Sequence, residues 1–212
     1  MDTGRVWDGL VAKHGEVKGF LGGASDNYWA SGRATWNNVI LSHLLPLGSP
    51  TMLEWGAGSG RITKAALETL PEGSTYYAYE PSAAGRELWE KNLAGADAVM
   101  LDETALQSLP ANLTHIFCFF VMHHMDYDAL WDFFGYVNEH LAPGGILLFD
   151  YIPITTTIGA RFLARKDRSE WPSYIWHPAQ IRWMLNLRAP RLTRREMLCD
   201  RARWLEVWQR SE

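Results

Sequence analysis

Apolar residues recur at helical spacing through Thr35-Trp-Asn-Asn-Val-Ile-Leu-Ser-His-Leu-Leu45, and the Gly-Ser-Pro that follows closes the segment. Met52 to Trp55 then reads as a short strand, Arg61 to Leu70 as a helix, Pro71-Glu-Gly-Ser as a turn, and Thr75 to Tyr79 as a second strand. Ser82 to Leu93 predicts a helix, Ala98 to Leu101 a third strand and His115 to Val121 a fourth. Leu130, Phe133, Phe134, Val137 and Leu141 make one helical stripe over Asp126 to Leu141, which Pro143-Gly-Gly stops before a fifth strand, Ile146 to Phe149. Ile154 to Pro178 has no clear period; Ala179 to Leu187 predicts a helix, and Leu192 to Leu198 with Arg203 to Gln209 predict a hairpin.

Continuous apolar strands that alternate with amphipathic helices mark a parallel sheet buried on both faces, because each crossover lays a helix on the sheet. The expected fold is therefore α/β and doubly wound: a mostly parallel seven-stranded sheet with helices on both faces, a C-terminal antiparallel hairpin strand and an N-terminal helical cap. Composition fits one soluble domain, with 47% hydrophobic and 21% charged residues in 212. A net charge of −4 lacks the basic excess of a nucleic-acid binder, so Arg182, Arg188, Arg191, Arg194 and Arg195 read as a solvated face. Cys118 and Cys199 sit in apolar runs without metal-ligand spacing and are expected to be buried thiols in a reducing compartment, with no metal. No segment has the pattern of a signal peptide or a membrane span, and the expected location is cytoplasmic.

Chemistry concentrates in Glu54-Trp-Gly-Ala-Gly-Ser-Gly60, the turn after the first strand. In an open parallel sheet, ligands sit outside the carboxyl ends of the strands, and glycines there allow tight curvature and close approach to the backbone. Glu80, at the end of the second strand and 20 residues after Gly60, can accept hydrogen bonds from both hydroxyls of a ribose. Glu54 would repel a pyrophosphate but attract an ammonium or a sulfonium-bearing amino acid, and the Gly-x-Gly-x-Gly spacing departs from the dinucleotide fingerprint.

These residues resemble the first motif of the class I S-adenosylmethionine-dependent methyltransferases that act on small molecules. Tyr77-Ala-Tyr-Glu80-Pro-Ser is similar to the second motif, Leu101-Asp102-Glu103 to the acidic turn after strand three, Phe120-Val-Met-His123-His124-Met to the segment after strand four, and Leu141-Ala-Pro-Gly-Gly-Ile-Leu-Leu-Phe149 to the approach to strand five. The resemblance implies S-adenosyl-L-methionine as cofactor. Gly56, Ala57, Gly58 and Gly60 would border its methionine part, Glu80 and Pro81 the ribose, and Asp102, Glu103 and Thr104 the adenine, with Phe120 and Val121 beside them. Asp102 read by itself suits a helix N-cap equally well. Where many relatives begin strand four with Asp, this chain has Thr114-His115. Tyr28 and Arg33 stand where N-terminal segments of related enzymes cover the methionine moiety, an aromatic face suiting the sulfonium and a guanidinium its carboxylate.

The resemblance further implies one domain over 1–212, with a helical cap at 1–48, a cofactor-binding core at 49–152, a substrate lid at 153–190 and an edge hairpin at 191–212. His123 falls where related O-methyltransferases carry a base, with His124 next to it; a structural role for the pair is the other reading. Asp150, Tyr151, Trp171, Tyr174 and Trp176 would line the acceptor, whose aromatic surroundings suit a flat molecule or an amine. The expected activity is methyl transfer to an O, N or C atom of a small molecule by a monomer or homodimer, with no nucleic acid or membrane partner. The alternatives are use of the cofactor's aminocarboxypropyl chain, which releases methylthioadenosine, and a non-catalytic cofactor-binding subunit.

Overall fold

Seven strands make up the sheet in a computed structural model that describes residues 3–14, 28–44, 48–164, 174–199 and 203–212. In chain order these are β1 (Thr51–Trp55), β2 (Thr75–Tyr79), β3 (Val99–Leu101), β4 (Leu113–Cys118), β5 (Leu141–Tyr151), β6 (Leu192–Cys199) and β7 (Trp204–Arg210). Their order in the sheet is β3-β2-β1-β4-β5-β7-β6. β1 runs parallel to β2, β2 to β3 and β4 to β5, whereas β7 is antiparallel to both β5 and β6. This is the mostly parallel α/β sheet with a C-terminal hairpin that the alternating pattern predicts, and the helices pack on both of its faces. Among the described residues, no helix is long and apolar enough to cross a membrane.

Two compact units divide the chain, Met1–Leu109 and Pro110–Glu212. In the first, α1 (Thr3–His14) packs on α5 (Ala83–Asn92), while α2 (Tyr28–Thr35) continues through a π turn (Trp36–Ile40) into α3 (Leu41–Leu44). The helix α4 (Arg61–Leu67) follows the glycine turn, and α6 (Glu103–Leu106) follows β3. α2 lies so close to α4 that a Cβ on Gly32 would clash with the Arg61 carbonyl oxygen, and the indole of Trp36, at the start of the π turn, donates to Thr69 Oγ1 at 2.7 Å. Caps explain the helix starts: Ser82 Oγ accepts from Gly85 N, and Asp102 Oδ1 from Ala105 N.

The second unit holds α7 (Tyr127–His140), α8 (Thr157–Ala164) and α9 (Pro178–Arg188). α7 starts where Asp126 Oδ1 accepts from Ala129 N, and it buries the predicted stripe of Leu130, Phe133, Phe134 and Val137. β4 stops at Cys118, three residues before the expected end, because Phe120 takes a left-handed backbone with φ of 64° that no strand accommodates. β5 begins at Leu141 and not at Ile146: Leu141 lies opposite Leu113, and a register shift before His115 absorbs Pro143, Gly144 and Gly145. The aperiodic stretch after β5 contains α8, whose start is held by Thr156 Oγ1 accepting from Gly159 N. Cys118 is buried as expected, but Cys199 is exposed, since β6 is an edge strand facing solvent along most of its length.

Candidate functional site

In the first unit the glycine turn is folded by backbone alone. Gly56 N and Ala57 N both donate to the carbonyl of Tyr79, at 2.8 and 3.0 Å, which ties the turn to the end of β2. Gly56, Gly58 and Gly60 all have positive φ, a region where a Cβ would clash with the backbone. Gly60 is doubly restricted, because a Cβ there would lie 2.7 Å from Leu93 Cδ1 and 2.9 Å from Trp89 Cδ1.

Glu80 completes this turn. Its Oε2 accepts from Gly58 N at 2.8 Å and its Oε1 from Ser82 N at 2.9 Å, so both ends of the carboxylate are aimed by the main chain. Burial is the largest influence on its pKa and raises it to about 7, against the lowering effect of those two bonds. Each oxygen keeps a further lone pair, and the pair of hydroxyls on a ribose is a donor set that can use them. Next to it Arg86 donates to the carbonyls of Glu80 and Pro81. Asp8 of α1, 74 residues before Ser82, accepts from Ser82 Oγ at 2.6 Å and from Ala84 N at 3.0 Å. No local motif marks Asp8, and its position depends on how α1 packs against α5.

Glu54 occupies a different setting from the one its charge suggests. Oε2 accepts from Thr63 Oγ1 at 2.6 Å and from the Tyr76 hydroxyl at 2.7 Å, while Trp89 Nε1 donates to Thr63 Oγ1 at 3.0 Å. Burial raises its pKa to about 7, outweighing the two hydroxyl bonds. This carboxyl therefore joins β1, α4, β2 and α5 as an internal link. Tyr28 is buried with its hydroxyl on Ser59 Oγ and its ring edge-on to Trp29. Arg33 departs from its expected place: its guanidinium is exposed and paired with Glu68 at 3.0 Å, and Arg61, 5.9 Å from the Tyr28 ring centroid, is the cation beside that tyrosine. Asp102, Glu103 and Thr104 are all exposed; Asp102 caps α6, and Glu103 accepts from the Tyr79 hydroxyl at 2.5 Å.

In the second unit the residues after β4 gather around Arg203, immediately before β7. Arg203 Nη1 donates to Asp150 Oδ2 at 2.7 Å, its guanidinium carbon lies 4.6 Å from the Phe120 ring centroid, and its Nη2 is 3.5 Å from His123 Nε2. The other Asp150 oxygen accepts from Phe120 N at 2.6 Å, which holds the left-handed residue in place. His123 is buried, with its ring tilted at 45° to that of the half-buried His124 and 3.8 Å from it. Burial first, then His124 and Arg203, push the His123 pKa well below the ordinary imidazole value. Val121 is half-buried at the head of this turn, and its carbonyl accepts from His124 N.

Two aromatic residues lie beside this turn. Tyr174 N donates to the His123 carbonyl at 2.6 Å, Trp176 Nε1 to the Met122 carbonyl at 3.1 Å, and the two rings stack at 6.3 Å. Tyr151 departs from the acceptor-lining expectation. Alternation along β5 turns it away from Asp150, and its fully buried ring places the hydroxyl on Glu206 Oε1 at 2.7 Å. Trp171 lies outside the described residues. Arg203 escaped the sequence reading because it sits 53 residues from Asp150 and 80 from His123, at the start of a run that reads only as a hairpin strand.

Residues 53–147 match a family described as a methyltransferase domain. The chain is 32% identical over 112 residues to an uncharacterized methyltransferase of Geobacillus kaustophilus, and 29% identical over 110 residues to one of Oceanobacillus iheyensis. Each match takes in 52% of this chain and 50% of the relative, so the chain spans about half the length of the curated relatives it matches. In fold it is similar to magnesium protoporphyrin IX methyltransferase of Synechocystis with bound S-adenosylhomocysteine, with a TM-score of 0.69 and 16% identity over the whole of both chains. Residues 53–147 are thus similar to a methyltransferase domain, and the chain shares the fold of the solved methyltransferase.

Proposed function

We propose that this chain transfers a methyl group from S-adenosyl-L-methionine to an O, N or C atom of a small molecule. The observation that carries the reading is Glu80, a buried carboxylate aimed by Gly58 N and Ser82 N beside three glycines of positive φ. In this reading the glycine turn borders the methionine part, Glu80 holds the ribose hydroxyls, and Asp102 to Thr104 lie towards the adenine. When bound, the cofactor supplies a methyl carbon activated by its sulfonium leaving group, so the protein's task is alignment more than bond-breaking.

The acceptor side is assigned to the second unit, with Asp150, His123, Tyr174 and Trp176 as its members and Arg203 added to them. The stacked Tyr174 and Trp176 rings support a flat acceptor. The named substrate of the Synechocystis protein, a flat macrocycle, is in keeping with that reading. Mass spectrometry of the nucleoside product, after incubation with S-adenosylmethionine and a cell extract, tests the proposal. S-adenosylhomocysteine is the expected product. Methylthioadenosine above the protein-free rate would instead mean that the aminocarboxypropyl chain is used, and absence of both would leave cofactor binding without turnover.

A further inference from the structure

We infer that Arg203 is a positioning residue that fixes His123 as the neutral tautomer protonated at Nδ1, so that the imidazole offers the acceptor molecule a hydrogen-bond donor and does not take a proton from it. The guanidinium has little freedom: Asp150 Oδ2 holds Nη1 at 2.7 Å, and the Phe120 ring lies 4.6 Å from its central carbon. Nη2 is thereby set 3.5 Å from His123 Nε2. Arginine carries donors only, so the ring nitrogen that faces it has to present a lone pair; an N–H there would oppose both an N–H and a positive charge. A neutral imidazole has one proton, and with Nε2 bare it resides on Nδ1.

Nδ1 is the independent observation. It is buried and has no hydrogen-bond partner among the described residues. A buried N–H without an acceptor is costly, so its retention here fits a donor kept for a ligand. Among the described residues, the charged and titratable groups around the ring favour the neutral form: His124 from the same turn and Arg203 from the approach to β7, with Asp150 of β5 occupied by Arg203 and by Phe120 N. Tyr174 adds a backbone N–H to the His123 carbonyl, which fixes the turn but not the ring. The donor suits an oxygen or nitrogen lone pair on the small molecule, such as a carbonyl, carboxylate or phenolate oxygen. That last step rests on the methyl-transfer reading; the tautomer does not.

Nitrogen NMR of the full chain labelled with 15N-histidine tests the tautomer without any substrate. The expected spectrum has a protonated Nδ1 and a bare Nε2 for His123, unchanged between about pH 6 and 8. A proton on Nε2, or titration of His123 in that interval, would overturn the inference. Arg203→Met should allow Nε2 to take the proton or the ring to titrate, whereas a spectrum like the wild type's would remove Arg203 from the role. His123→Asn keeps an N–H near Nδ1 and deletes the base, so S-adenosylhomocysteine formation in the extract assay should fall by no more than about tenfold. A loss of about 10²–10⁴, the range expected for a general base, would show that His123 removes a proton. If the wild type forms no S-adenosylhomocysteine, the methyl-transfer reading fails, while the spectrum still decides the tautomer.

Discussion

Glu54 shows how little a residue's charge says about its task until its neighbours are known. From sequence it is a carboxylate at a strand end, suited to an ammonium. In the fold it is buried on two hydroxyls, with its pKa raised to about 7. Because the folded pKa lies above the unfolded one, the native state binds the extra proton between about pH 4.5 and 7. The contribution of Glu54 to stability is therefore fully present below that interval and is lost as pH rises through it. Glu54→Gln keeps an acceptor for Thr63 and Tyr76 without the charge. Its thermal midpoint should match the wild type's in acid and exceed it at pH 8, by up to about 3 kcal/mol in stability. A variant less stable than the wild type at pH 8 would show that the ionised carboxylate is favourable where it sits. His115 works in the opposite sense, since burial pushes its pKa down to about 4 and its contribution is lost as pH falls from the ordinary imidazole value.

Among the elements, α1 and α5 form a pair that the pattern of apolar residues could not have joined. α5 has its own cap in Ser82, yet that same hydroxyl donates to Asp8, and Asp8 also accepts from Ala84 N. One carboxylate from α1 thus serves the first turn of α5, where the positive end of the helix favours it. Asp8→Ala should destabilise the chain by about 1 kcal/mol, read from the urea midpoint, and hydrogen exchange should show the amides at the start of α5 opening first. Protection unchanged at Ala84 and Gly85 would mean that α1 adds nothing to that helix. The glycine turn, by contrast, was legible directly. Gly-x-Gly-x-Gly after an apolar strand predicts positive φ, and all three glycines adopt it. The less regular elements were harder: α8 is only eight residues long inside a stretch of mixed aromatic and charged residues, and the end of β4 depends on a left-handed Phe120 that is held by an aspartate 30 residues away.

For the whole molecule, cofactor binding should appear as stability, because a ligand that binds only the native state raises its melting point. At a concentration of 100 times Kd, S-adenosylmethionine should add about 2.7 kcal/mol, and NAD should add nothing. Glu80→Ala should lower the affinity by roughly 2–3 kcal/mol through loss of the ribose bonds and so remove most of that shift. An undiminished shift would take Glu80 out of the cofactor site. What the sequence by itself determined was the fold class, the glycine turn and the acidic strand ends, since these follow from local periodicity, backbone sterics and spacing within a short stretch of chain. Tertiary structure alone decided which charges are partnered. It placed Arg33 on Glu68, sent Tyr151 into the core with Glu206, and brought Arg203 to Asp150 and His123. The physical reason is that a side chain's role depends on burial and on partners that chain folding brings from dozens of residues away, and no local pattern encodes that distance.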